Sequence, residues 1–134
     1  MSATSSSQQL LRRLIECWDS GKMNPIEELL TPDFVRHGDH VGGQKEIRGP
    51  AEYKRMVTEF RKLFTDFHTE SRDVIERGDK IVLRFHTSGK HNGRPVEFDG
   101  VNILRVDGGR FAEDWVYYDA TGLAAKLGQI KAAA

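Results

Sequence analysis

Residues 100–119 read "GVNILRVDGGRFAEDWVYYD", and the fold turns on how this stretch doubles back on itself. Two runs of alternating character flank Gly108-Gly109, which is the signal for a two-residue hairpin loop. With that loop Asp107 faces Arg110. Counting outward sets Asn102 opposite Trp115, Gly100 opposite Tyr117 and Phe98 opposite Asp119. Because side chains alternate along a strand, Phe98, Asn102, Leu104, Glu113, Trp115, Tyr117 and Asp119 are expected on one face. Val101, Ile103, Arg105, Asp114, Val116 and Tyr118 are expected on the other. The first face is a largely apolar surface with an amide and a carboxylate among aromatic rings, which is how small-molecule sites are built. Gly100 leaves a place beside Tyr117 that a ligand could occupy.

Upstream, "FHTESRDVIE" breaks at "RGD" and "KIVLRFHTSG" breaks at "KHNGRP", giving two earlier strands. The second loop holds two, three or four residues. Its parity decides whether Arg84 and His86 face the pocket or a subunit interface, so both stand as candidate substrate contacts. Ahead of the strands the period is helical. Leu11, Leu14, Ile15 and Trp18 form one stripe that Gly21 ends, with Trp18 a candidate pocket wall. Asn24 and Pro25 open a short helix that Pro32 stops. A short strand is expected around Phe34 to His37. From Pro50 a third helix carries Tyr53, Met56, Val57, Phe60, Leu63 and Phe64 at threes and fours. Tyr53 is either core or a hydroxyl reaching into the pocket from its roof. Residues 119–128, "DATGLAAKLG", form a last helix with Gly128 as its stop. Helices, then four hairpin-linked strands, then a helix, predict an α+β fold: a curved antiparallel sheet with helices packed on one face.

The chain has 134 residues, expected to form a single domain with residues 1–6 disordered. Twenty basic residues balance twenty acidic ones, so the net charge is zero. That argues against a nucleic-acid or anionic-membrane partner, and it leaves self-association open. The single cysteine, Cys17, excludes an intramolecular disulfide and is expected buried and inert. The start lacks a signal-peptide pattern and no apolar run approaches the ~18 residues of a membrane span, so a cytoplasmic protein is expected. His37 and His40 form "HGDH", but without a third ligand or a helix to present both rings no metal is expected.

The order of elements, with "FVRHG", the Gly-Pro-led helix, "GVNILRVDGGRFAEDW", Asp119 and "GLAAKLG", resembles the SnoaL-like polyketide (ester) cyclases of the nuclear-transport-factor-2-like superfamily. The run Arg105, Gly109-Arg110, Glu113, Trp115, Asp119, Leu127-Gly128 is its most specific part. The resemblance covers nearly the whole chain. It implies a cone-shaped α+β barrel with the N-terminal helices over the concave face. It also implies an intramolecular aldol ring closure on a hydrophobic carbonyl substrate, without metal or organic cofactor, using a pocket Asp as acid and base. By position Asp119 matches that acid, Asn102 a polar pocket position where relatives often carry Asp or His, and His37 a His of the first strand. A homodimer through the sheet is common in this superfamily, and Val101, Ile103, Val116 and Tyr118 give the outer face the apolar residues for it. The same fold also hosts isomerases, hydratases, epoxide hydrolases and non-catalytic binding modules.

Read from the residues alone, Asp119 is either a solvent-facing helix cap or an acid desolvated by Trp115, Tyr117 and Phe98. Asn102 either satisfies a core group or holds a substrate carbonyl. His37 is either structural or a proton donor. Glu113 is expected to make a structural ion pair with an Arg, and Asp114 to be a solvated surface charge.

Overall fold

The computed structural model describes residues 5–39 and 45–128; His40 and the first four residues lie outside them. Helix α1 (Ser6–Ser20) starts within the stretch expected to be disordered. Ser5 caps it by accepting the Gln8 N–H at 3.0 Å. Gly21 ends it at φ 76°, a left-handed position that sends its N–H back to the Cys17 carbonyl at 2.9 Å. The apolar stripe of α1 buries Leu10, Leu11, Leu14 and Cys17. In α2 (Ile26–Leu29) the N-cap is Pro25 rather than the expected Asn24. Strand β1 (Leu30–His37) follows at once, and β2 (Glu46–Arg48), which the sequence did not suggest, pairs antiparallel with it. Helix α3 (Gly49–Arg61) then leads into β3 (Thr65–Arg77), β4 (Lys80–His91), β5 (Arg94–Asp107), β6 (Arg110–Tyr118) and α4 (Ala120–Lys126).

The six strands form one sheet in the order β2-β1-β6-β5-β4-β3. The expected α+β architecture is present, with one refinement: β1 and β6 run parallel, so the sheet is mixed. The meander β3–β6 returns its last strand alongside the first in the same direction. Phe34, Ile81, Leu104 and Phe111 from the sheet pack with Leu14 of α1 and Tyr53 and Val57 of α3 in one core. Phe34 is wholly buried and meets Tyr53 edge to face at 5.4 Å. Each such side chain contributes about 1.5–3 kcal/mol by leaving water. A second cluster, Phe64, Val96, Leu123 and Leu127, seats α4 at the other end.

Two registers decide what faces the core. Asn92-Gly93 is a two-residue turn with φ 51° and 79°, and His91 faces Arg94. Ile81, Leu83, Phe85 and Thr87 therefore point inward, and Arg84 and His86 point to the convex side. Arg84 pairs with Asp73 at 2.7 Å, and His86 lies 2.8 Å from Asp99 and 3.1 Å from Glu97. Neither reaches the pocket as substrate contacts would.

The Gly108-Gly109 hairpin begins as expected, with Asp107 facing Arg110 and Val106 facing Phe111. Arg105 then faces Glu113, leaving Ala112 as an extra residue. This bulge bends β6 and flips every later side chain. Asn102 faces Val116 instead of Trp115, and Gly100 faces Tyr118 instead of Tyr117. Asp114, Val116 and Tyr118 thus join the concave side. Glu113, Trp115 and Tyr117 go to the convex side, where Tyr117 is 60 % exposed.

The place that Gly100 leaves open is filled by Phe85. A Cβ there would lie 2.4 Å from the Phe85 ring and 2.9 Å from the Tyr117 carbonyl oxygen. Gly100→Ala is therefore expected to lose about 2 kcal/mol in urea denaturation, as overpacked cores do.

Candidate active site

Between α1, α3 and the concave face of the sheet lies a cavity of about 440 Å³. Its walls are mostly apolar: Leu14 and Trp18 from α1, Met56 and Phe60 from α3, and Phe85 and Phe98 from the sheet. Of the expected substrate contacts, Trp18, Tyr53 and Phe98 line it, as does Asn102. Polar groups converge at one end, where Arg36, Asn102 and Asp114 meet beneath Tyr53 and Trp18.

Asp114 is the unexpected member, since the sequence placed it in solvent. It is 1 % exposed. The Asn102 Nδ2 lies 3.0 and 3.2 Å from its two oxygens and donates to them. Arg36 Nε lies 3.8 Å from Oδ2, an ion pair too long to be a hydrogen bond. Burial pushes the Asp114 carboxyl above its ordinary range. The Arg36 charge, the Asn102 hydrogen bond and the His37 charge pull the other way without cancelling it. Tyr53 is 1 % exposed, and burial raises its hydroxyl pKa, so it remains a neutral phenol. Its oxygen accepts the Trp18 Nε1–H at 2.7 Å, which fixes both rings.

The other expected catalytic residues lie elsewhere. Asp119 is exposed and caps α4, accepting the Gly122 N–H at 2.9 Å. It is the cap of the two readings left open, because β6 ends before it can turn toward the cavity. Asp119→Ala should cost about 1 kcal/mol in a thermal melt and leave ligand binding in the cavity as it was. His37 sits on the convex side, stacked on Trp115 at 5.5 Å, with Nε2 2.7 Å from Glu113. Glu113 also accepts from Arg105 at 3.3 Å, the ion pair expected of it. Partial desolvation would raise the Glu113 carboxyl, but the hydrogen bonds from His37 and Arg105 outweigh it and hold the carboxyl low. Trp115, Tyr117 and His37 therefore lie on the convex side, none of them lining the cavity. Among the described residues no group of three His, Cys, Asp or Glu is placed to hold a metal, and no helix is long and apolar enough to cross a membrane.

Arg36 was missed altogether, although its signal was present. In "FVRHG" it is two residues from Phe34, so a strand that buries Phe34 turns Arg36 to the same side. Asp114 offered no such signal, because the bulge that turns it inward leaves no mark in "RFAEDW".

The sequence and its fold, a bent sheet under helices, have counterparts among known proteins. The family described as SnoaL-like polyketide cyclase matches residues 8–127. The aklanonic acid methyl ester cyclase DnrD of Streptomyces peucetius is 24% identical over 93% of this chain and 92% of its own length. A Bacillus cereus structure assigned as a polyketide cyclase superposes with TM-score 0.82 at 30% identity, over 93% of this chain and 82% of that one. A Catenulispora acidiphila protein with a ketosteroid isomerase-like fold shares the architecture, with TM-score 0.77 at 18% identity over 91% of this chain and 94% of its own. With residues 8–127 matched, nearly its whole length, this chain belongs to the SnoaL-like polyketide cyclase family.

Proposed function

We propose that the protein is an acid-base enzyme that closes a ring within a hydrophobic polycarbonyl substrate, with Asp114 as its acid and base. The observation that carries this reading is the burial of Asp114 at the polar end of an apolar cavity, both its oxygens held by Asn102. A carboxylate raised by desolvation is a stronger base than a solvated one. It removes a proton from a carbon between two carbonyls, and Asn102 and Arg36 steady the charge that develops at the polar end. The enolate carbon attacks a second carbonyl carbon, forming the C–C bond. The resulting alkoxide takes the proton back from Asp114. The proton inventory closes on one residue, and substrate and product are isomers. The apolar walls hold the two reacting carbons of the one substrate close, which raises their effective concentration toward each other.

The test is a screen of 1,3-dicarbonyl polyketides, beginning with aklanonic acid methyl ester, for deuterium uptake at the activated carbon and for ring closure. Exchange and cyclisation that depend on Asp114 support the reading. Binding without either would make the protein a non-catalytic carrier on the same fold.

We propose further that the convex face pairs with a second copy. Ile75, Val82, Ile103 and Trp115 lie in one row across four strands, and Ile75 is 62 % exposed. Ile103→Lys is then expected to halve the mass measured by light scattering, whereas a wild type that is already a monomer refutes the pairing.

A further inference from the structure

The polar end of the cavity is satisfied except at one group. Asn102 serves both oxygens of Asp114, and Trp18 serves Tyr53. Arg36 carries five N–H donors on a side chain only 9% exposed, yet among the described residues it donates no hydrogen bond. Its contacts are the ion pair at 3.8 Å to Asp114 and the face of the Trp18 ring, 5.3 Å from the guanidinium carbon. Nε, the atom that faces Asp114 in that ion pair, is buried with no hydrogen-bond partner. A buried donor left without a hydrogen bond costs the fold stability, and a charged one costs more. Stacking on Trp18, itself pinned to Tyr53, holds the guanidinium plane in place, so the fork is fixed before anything binds.

We infer that Arg36 is the anchor for a delocalised oxyanion of the ligand, either a free carboxylate or the enolate of a 1,3-dicarbonyl. This rests on the reading of the cavity as the substrate site and adds the chemical group the substrate must present there. A guanidinium meets two oxygens of one planar anion with two parallel hydrogen bonds, and these charge-assisted bonds are about twice as strong as neutral ones. Arg36 lines the same polar end as Asp114, so the anchored dicarbonyl offers its activated carbon to the base. Arg36 thereby becomes the residue that selects which end of a hydrophobic substrate enters first.

The experiment compares three probes by calorimetry on the full chain: 2-naphthoate, its neutral methyl ester, and 1-phenylbutane-1,3-dione. The oxyanion assignment predicts at least one anionic or enolisable probe about 10-fold tighter than the ester. Preference for naphthoate identifies the carboxylate as the source, and preference for the dione identifies the enolate. Arg36→Gln should abolish that preference. Asp114→Asn, which removes the competing carboxylate and leaves the guanidinium free, should tighten naphthoate. Equal binding of acid, dione and ester to the wild type overturns the anchor while leaving the cavity as a hydrophobic site. A preference that survives Arg36→Gln, or a loss of naphthoate affinity in Asp114→Asn, also overturns it. If none of the probes binds, the substrate-site reading falls together with the anchor.

Discussion

Asp114→Asn should lower turnover of any cyclised substrate by about 10²–10⁴-fold, the span general acid-base groups contribute, while KM does not rise. The substitution keeps the shape of the side chain, and the new amide oxygen still accepts from Asn102, so the cavity keeps its form. What is lost is the ability to take a proton from carbon and return it to oxygen. The separation of kcat from KM matters here, because a merely structural Asp114 would lower the folded fraction and scale the apparent rate without touching the pH profile. In the wild type kcat/KM should rise with pH as Asp114 loses its proton. The midpoint should lie above the usual carboxylate value of about 3.9, since burial lifts it. In Asp114→Asn that limb should be absent from whatever rate remains. A variant with wild-type turnover, or a limb that persists in it, would remove Asp114 from the mechanism.

Why Asp119 looked better than Asp114 in the sequence is a matter of one residue. The hairpin at Gly108-Gly109, the alternation of β5 and the inward position of Asn102 follow from local rules, and all three are present. Pairing rules carry a register outward only while both strands advance together, and Ala112 breaks that condition three residues from the turn. Every assignment on β6 beyond it inverted, exchanging Asp114, Val116 and Tyr118 for Glu113, Trp115 and Tyr117. Tertiary shape demands the bulge: β6 must bend to pair with β5 on one edge and parallel β1 on the other. No residue type enforces it. The tightness of the Asn92-Gly93 turn was within reach of the sequence, because Asn-Gly is the strongest short hairpin signal, and it would have turned Arg84 and His86 outward. The helices were more legible, because their stripes face a core that tolerates no ambiguity of phase. The helix stripes therefore put Trp18 and Tyr53 among the candidates, and both line the cavity, while Arg36, inside the strand expected around Phe34 to His37, was not singled out.

Arg36→Met should destabilise the protein in a pH-dependent way, by less near pH 5 than near pH 8, where the penalty should approach the about 3 kcal/mol of removing one partner of a buried pair. Asp114 has a folded-state pKa already raised by burial, with Arg36 the strongest influence opposing the rise. Without Arg36 it rises further. Between the unfolded value of about 3.9 and the folded value the native state binds more protons than the unfolded chain, so stability falls as pH rises, by up to about 1.4 kcal/mol per unit. Below the folded pKa the variant holds a neutral carboxylic acid still bonded to Asn102, which is tolerable in an apolar site. Above the folded pKa it holds a bare buried carboxylate. The Arg36→Met/Asp114→Asn double variant has no charge to strand, so its stability relative to wild type should vary less with pH, and the two substitutions should be strongly non-additive near pH 8. Urea denaturation of all four proteins at the two pH values provides the check. A penalty for Arg36→Met that is the same at both, or one the second substitution fails to relieve, would mean that Arg36 supports the fold through its packing on Trp18 rather than through its charge.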